Sequence, residues 1–167
     1  MGELIAVLSG KGGTGKTSVC AAVSTALARM GHKVLAIDCD MGLQNLDISL
    51  GMSDTGAISF LDVCEGGYRL DQAAKHHRFE TLSFLTAPLN RTAESIDTEG
   101  FREMVRAAKR NFDYIFLDAP ARGSLTSPSY LVRDRTLGPP LENNPEIPPS
   151  SQDEALSRYS VSGEVPR

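Results

Sequence analysis

The sequence predicts a three-layer α/β domain built on a mainly parallel sheet, and two observations carry that expectation. Four short apolar runs, LIAVLS (4–9), KVLAID (33–38), LSFLTA (82–87) and YIFLD (114–118), are mostly continuous rather than alternating. Strands covered on both faces read this way. Between the runs lie segments with helical spacing, and strands that alternate with helices assemble into a parallel sheet with helices on its faces. A chain of 167 residues supports one domain with a substantial core rather than two.

The elements follow in order. After the first run, residues 16–30 are rich in Ala, Ser and Val, with Val19, Val23, Ala26, Leu27 and Met30 along one expected apolar face. Gly31 is a natural C-terminal stop for that helix. ISFLDVCE (58–65) and LDQAAKHH (70–77) read as two further short helices. Residues 98–110 set Phe101, Met104, Val105 and Ala108 at helical spacing, with Asp97 or Thr98 as the cap and Lys109 and Arg110 in the last turn.

From Pro120 onward the character changes. Eight of the nine prolines and none of the lysines lie there, with the cluster GPPLENNPEIPPSSQ at 138–152. Neither strand nor helix periodicity persists, so 122–167 is expected to be mostly disordered for want of apolar surface to bury.

Bulk properties exclude several functions. A net charge of −4 and a pI near 5.4 give no general basic character, so no nucleic-acid partner is expected. Cys20, Cys39 and Cys64 are far apart and form no C-x-x-C pair, which indicates neither a disulfide framework nor a zinc site and suits a reduced, cytoplasmic setting. The adjacent His76 and His77 have no cysteine or acidic ligand pattern around them and read as a polar helix end. No apolar run reaches the length of a signal peptide or membrane span.

The chemistry concentrates in SGKGGTGKTS (9–18). Gly10-x-x-x-x-Gly15-Lys16-Thr17 matches the phosphate-binding P-loop pattern, and it lies between an expected strand and an expected helix, where the pattern's mechanism needs it. Glycines let successive backbone N–H groups converge on an anion, and the N-terminus of the following helix adds partial positive charge. Gly12, Gly13, Thr14, Gly15, Lys16, Thr17 and Ser18 form the candidate cradle for ATP. Lys16 is placed to reach the β- and γ-phosphates, and the Thr17 hydroxyl to bind Mg²⁺. The competing reading is a glycine loop that only turns the chain. Lys11 is not needed to cradle phosphate and, taken alone, is a solvated side chain.

The string KGGTGKT resembles the deviant Walker A motif of the MinD/ParA family of ATPases. That resemblance implies that Lys11 reaches across a nucleotide-sandwich homodimer to the partner's phosphates, as a cation in trans. IDCDMGLQNLDISLGM (37–52) is similar to the switch I segment of MinD-type members, although Gln44 stands where an arginine is usual. By resemblance, Asp40 orients the attacking water, Asp38 supports the Mg²⁺ shell, and Asn45 contacts nucleotide or the partner subunit. Two close acids at a strand end are also ordinary turn formers. FDYIFLDAPA (112–121) resembles the Walker B and switch II region, which implies that Asp118 binds Mg²⁺ through water. Cys39, between the two aspartates, reads as a strand-end side chain rather than a thiol catalyst.

The likeness covers residues 1–121, read as a partial P-loop ATPase domain, and it lapses where the proline-rich segment begins. It implies a three-layer P-loop NTPase fold whose C-terminal part is missing or replaced. It also implies an ATP-dependent dimerisation switch in placement of the division septum, with ATP hydrolysis, a MinC-like division inhibitor and a topological factor as partners. Residence at the inner face of the membrane depends, in the family, on a C-terminal amphipathic helix, and LVRDRTL (131–137) is too short to replace it. A flagellar-number relative and a non-catalytic fragment are the alternatives. The simultaneous loss of periodicity, lysine and likeness at one point leads to the expectation of a reading frame interrupted near codon 121.

Overall fold

In the computed structural model, which describes residues 1–8, 13–89, 91 and 96–120 together with the backbone of 135–137, the four apolar runs are strands of one sheet. They are β1 (Glu3–Val7), β2 (Val34–Asp38), β4 (Leu82–Leu85) and β5 (Tyr114–Asp118). A two-residue strand β3 (Ala74–Lys75) and a three-residue strand β6 (Arg135–Leu137) complete the order β3-β4-β2-β5-β1-β6. Every pairing is parallel except β3 with β4.

Continuity of the apolar runs has the expected cause. All five positions of β2 are buried, because successive side chains enter cores on opposite faces of the sheet. Val34 and Ala36 join Phe84 and Phe116 beneath helices α1 (Lys16–Arg29) and α2 (Leu46–Leu50). Leu35 and Ile37 join Leu4, Ile115 and Leu117 beneath α3 (Phe60–Cys64) and α4 (Thr98–Asn111). There Phe60 and Phe101 meet edge-on, their centroids 5.8 Å apart. Ser59 starts α3 with a capping box to Asp62, and Asp97 caps α4 as expected.

Two local expectations are corrected. In α1 the face against the sheet is Cys20, Ala21, Ser24 and Ala28, whereas Val19, Val23 and Met30 are 46%, 36% and 72% exposed. Small side chains let the helix sit close to the strands, and that contact outweighs the larger residues of the neighbouring stripe. The segment 70–77 is not a helix: a 3₁₀ turn at Leu70–Gln72 leads into β3, and His76 is buried with its backbone N–H bonded to the Leu82 carbonyl at 2.9 Å. The pairing of β3 with β4 takes backbone groups that a helix would have used internally. A short helix, α2, also forms within the segment 37–52, driven by burial of Leu46 and Leu50.

β6 pairs with β1 through Ile5–Arg135, Ala6–Thr136 and Val7–Leu137, inside the stretch where no periodic element was expected. The rest of 122–167, and with it the expectation of disorder, lies outside the described residues. Among the described residues no helix is long and apolar enough to cross a membrane.

Candidate nucleotide site

Parallel strands deliver their C-terminal ends to one end of the sheet, and the candidate residues gather there. In chain register Asp38 lies directly opposite Asp118 on adjacent strands. Side-chain alternation puts both on the α1 face, each only 1% exposed. α1 begins at the same end. Its preceding residue, Gly15, has φ +84° and Gly13 has φ +73°, left-handed values that a side chain would strain. Gly15, at the N-cap, has no side chain to cap this helix start, and the first turn carries no acid. That leaves its N-terminal charge for an external anion.

The Thr17 hydroxyl bonds the Asp118 carboxylate, and Lys16 lies near enough to act on it electrostatically. Asp38 accepts from the Asp40 N–H at 2.8 Å on Oδ1 and from the Leu46 N–H at 3.2 Å on Oδ2. Asp40 in turn accepts from the Gly42 and Leu43 N–H groups on Oδ1, at 3.0 and 3.1 Å, which is the turn-former's role at one of its two oxygens. The turn then passes through Gln44 at φ +46°, whose Nε2 donates to the Pro88 carbonyl at 3.1 Å. The residue where an arginine is usual therefore ties this segment to the loop after β4.

Electrostatically the pair of aspartates is unsettled. Burial pushes the Asp38 carboxyl up to about 7, against two backbone hydrogen bonds that favour its charge and with Asp118 adding to the rise. Burial likewise pushes Asp118 up to about 6, opposed by Thr17 and Lys16. Asp118 Oδ1 is buried with no hydrogen-bond partner among the described residues. Two like charges opposed across a ladder, with an orphaned oxygen, match a place for a cation. Among the described residues no three His, Cys, Asp or Glu side chains are close enough to hold a metal alone. Two carboxylates and a hydroxyl fit Mg²⁺, which keeps waters and takes phosphate oxygens instead of an all-protein cage.

The structure thus brings together Lys16, Thr17, Asp38, Asp40 and Asp118. Asn45 precedes α2 and is exposed, without a side-chain cap bond. Lys11 and Gly12 lie outside the described residues. Two open clefts of 650 and 830 Å³, both bordered by Lys33, Asn111 and Phe112, contain none of the constellation. Sequence reasoning missed the backbone of Leu46 as a partner of Asp38, for which no residue-type signal exists. It also missed Cys20, which is buried, close enough to feel both carboxylates, and has its thiol raised by burial and by Asp118.

Comparison with known proteins agrees with this geometry. The family model described as AAA domain matches residues 2–139. The septum site-determining protein MinD of Synechocystis sp. is 42% identical over 122 residues, which cover 72% of this chain and 46% of that protein. The MinC:MinD cell division protein complex of Aquifex aeolicus aligns with TM-score 0.69 at 38% identity, covering 81% of this chain and 55% of that one. The MinD structure of Pyrococcus horikoshii, complexed with Mg-ADP, aligns with TM-score 0.64 at 36% identity over 78% of this chain and 54% of that one. The chain therefore spans less than half the length of the relatives it matches and just over half of the solved chains. By sequence and fold it belongs to the AAA domain family of P-loop proteins, and within that family it carries the N-terminal half of the MinD type.

Proposed function

We propose that the chain is the nucleotide-binding half of a MinD-like, ATP-dependent dimerisation switch acting in placement of the division septum. The observation that carries this is the buried, partnerless Oδ1 of Asp118, set beside Thr17 and opposite Asp38 at the head of α1. Bound Mg²⁺ supplies charge neutralisation between the ATP phosphates and this carboxylate pair. Thr17, Asp38 and Asp118 hold it, while Lys16 and the backbone of 12–18 hold the phosphates. Asp40, with one oxygen committed to its own turn, orients the attacking water with the other. Lys11 acts on the phosphates of a second copy, and Asn45 contacts nucleotide or that copy. The MinC:MinD complex of the Aquifex relative supports a MinC-like partner for the assembled switch.

Titration of the purified, monodisperse chain with a fluorescent ATP analogue tests the reading. Saturation that needs Mg²⁺ is expected, and Lys16→Ala should weaken it by about 10- to 100-fold, the weight of a charge-assisted phosphate contact. Lys11→Ala should still bind nucleotide but not dimerise. Absence of saturable binding by soluble protein would favour a non-catalytic chain that at most binds phosphate or interferes with a full-length partner.

A further inference from the structure

Gln44 combines a costly backbone with a long-range bond. Among the described residues it is the one non-glycine with a left-handed backbone, at φ +46°. For such a residue that conformation costs about 1–2 kcal/mol and persists where the surroundings fix it. Here the half-buried side chain does the fixing: Nε2 donates to the Pro88 carbonyl, 44 positions away, at 3.1 Å. A carbonyl only accepts, so the amide presents its nitrogen there. The acceptor belongs to a well-held segment. Pro88 is buried, and Thr86 forms a parallel bridge with Ser59. The Thr86 N–H donates to the Ile58 carbonyl and its carbonyl accepts from the Phe60 N–H, both at 3.0 Å.

The turn that Gln44 closes carries Asp40. The Gln44 N–H donates to the Asp40 carbonyl at 3.1 Å, while the Gly42 and Leu43 N–H groups hold Asp40 Oδ1. The Asp40 carboxylate therefore moves with the turn as one body. That body is held at its ends, where the Asp40 and Leu46 N–H groups donate to the two oxygens of Asp38. A loop held at its ends can still pivot about the line joining them. The bond to Pro88, in the loop that follows the neighbouring strand β4, is a third point and removes the pivot. Met41 also packs against the core on the α4 side, but an apolar contact has no direction and does not set the angle.

We propose that Gln44 is a positioning residue for the candidate site: by fastening the turn to Pro88, its amide sets the direction in which Asp40 presents its second carboxylate oxygen. Gln44 acts through Asp40 and not on the nucleotide. When the amide lets go, the bonds inside the turn and the two ties to Asp38 survive, so the turn swings as a unit and takes the carboxylate with it. The amide does this without charge, whereas an arginine would bring a cation to the turn. The fastening stands by itself; its effect on hydrolysis rests on reading Asp40 as the residue that orients the attacking water.

Backbone NMR relaxation of Met41, Gly42 and Leu43 in the full chain tests the fastening. Order parameters should lie near about 0.85, the value of rigid backbone, and fall below about 0.6 when the tie is lost. Gln44→Met keeps the length and neutrality of the side chain and loses the donor. Gln44→Asn keeps an amide and suits the left-handed backbone better, but is one methylene too short to reach Pro88. Both should loosen the turn, and Gln44→Arg, which keeps N–H donors, should not. Lost stability does not produce that pattern, because Gln44→Asn relieves the backbone and should leave the urea midpoint unchanged or higher. Order that is unchanged in either Gln44→Met or Gln44→Asn, that is already low in the wild-type chain, or that is lost equally in Gln44→Arg overturns the proposal. Hydrolysis of Mg-ATP reads the second step. In Gln44→Met and Gln44→Asn kcat should fall about 10- to 100-fold, the cost of a misplacement of up to about 1 Å, with affinity for the fluorescent ATP analogue unchanged. Affinity lost in place of rate overturns the positioning role. Loosening without loss of rate, or a wild-type chain that binds ATP and does not hydrolyse it, refutes the reading of Asp40 and leaves the fastening intact.

Discussion

Raising the pH from about 5 to about 8 in the absence of divalent cations should destabilise this fold, the reverse of ordinary acid lability. Asp38 and Asp118 are buried, with carboxyls pushed up to about 7 and about 6 from an ordinary value of 3.8. Between 3.8 and those values the folded chain holds protons that the unfolded chain has released. Stability therefore falls as pH rises, until each folded carboxyl has ionised. At 1.36 kcal/mol per pH unit, about two units for Asp38 and about one for Asp118 give about 4 kcal/mol across the range. That is a large part of the roughly 5–15 kcal/mol that holds a domain folded. His76, lowered by burial, pulls the other way, since its neutral form is the one the fold prefers. The measurement is accordingly made on His76→Gln, by urea unfolding followed with far-UV circular dichroism at fixed ionic strength. Magnesium with nucleotide should flatten the slope, because the ion favours both ionised carboxylates. A midpoint that is flat or rises with pH in cation-free buffer refutes the argument, and a slope indifferent to magnesium and nucleotide detaches the two aspartates from any cation.

Other outcomes follow from the packing. Phe101→Ala removes a fully buried ring that meets Phe60, and should cost about 3–5 kcal/mol by urea midpoint. Gly100→Val places a Cβ 2.9 Å from the Cys64 carbonyl oxygen, where α4 starts against the end of α3. The neighbour is backbone and yields little, so about 1–3 kcal/mol should be lost on the same scale. Ser59→Ala deletes the capping box of α3 and should cost about 1 kcal/mol, with Ser59→Asp recovering most of it. Burial raises the thiols of Cys20 and Cys39 well above their ordinary value and that of Cys64 to about 12, so maleimide labelling should await unfolding. Rapid labelling of any one of them in native protein would show that its surroundings are open.

What could be read from the chain alone divides along physical lines. The strands were legible because burial on both faces leaves Val34 to Ile37 uniformly apolar, a signal needing no partner. The P-loop was legible because glycine, lysine and threonine at fixed spacing have few other uses. In α1, periodicity pointed to Val19 and Val23 because it weighs side-chain size, whereas the sheet selected Cys20, Ala21, Ser24 and Ala28 for closeness. β3 is two residues long, below any detectable period. The opposition of Asp38 and Asp118 arises because β5 enters between β1 and β2, a long-range pairing that local pattern does not encode. The tie between His76 and Leu50 spans 26 positions and uses a carbonyl, which no residue identity announces.

That same insertion of β5 has a consequence for vectorial synthesis. Among the described residues β1 pairs only with β5 and β6, so Glu3 must wait for Tyr114, and Ile5 for Arg135. At about 5–20 residues per second, the ribosome leaves β1 without either ladder for on the order of ten seconds. Meanwhile β2 can already pair with β4, whose register needs only residues up to Leu85. The growing chain thus assembles its sheet from the middle of the sequence, with the N-terminal strand unsecured and available to chaperones. The loop that reads most clearly in the sequence thus follows directly on the strand that waits longest for its ladder.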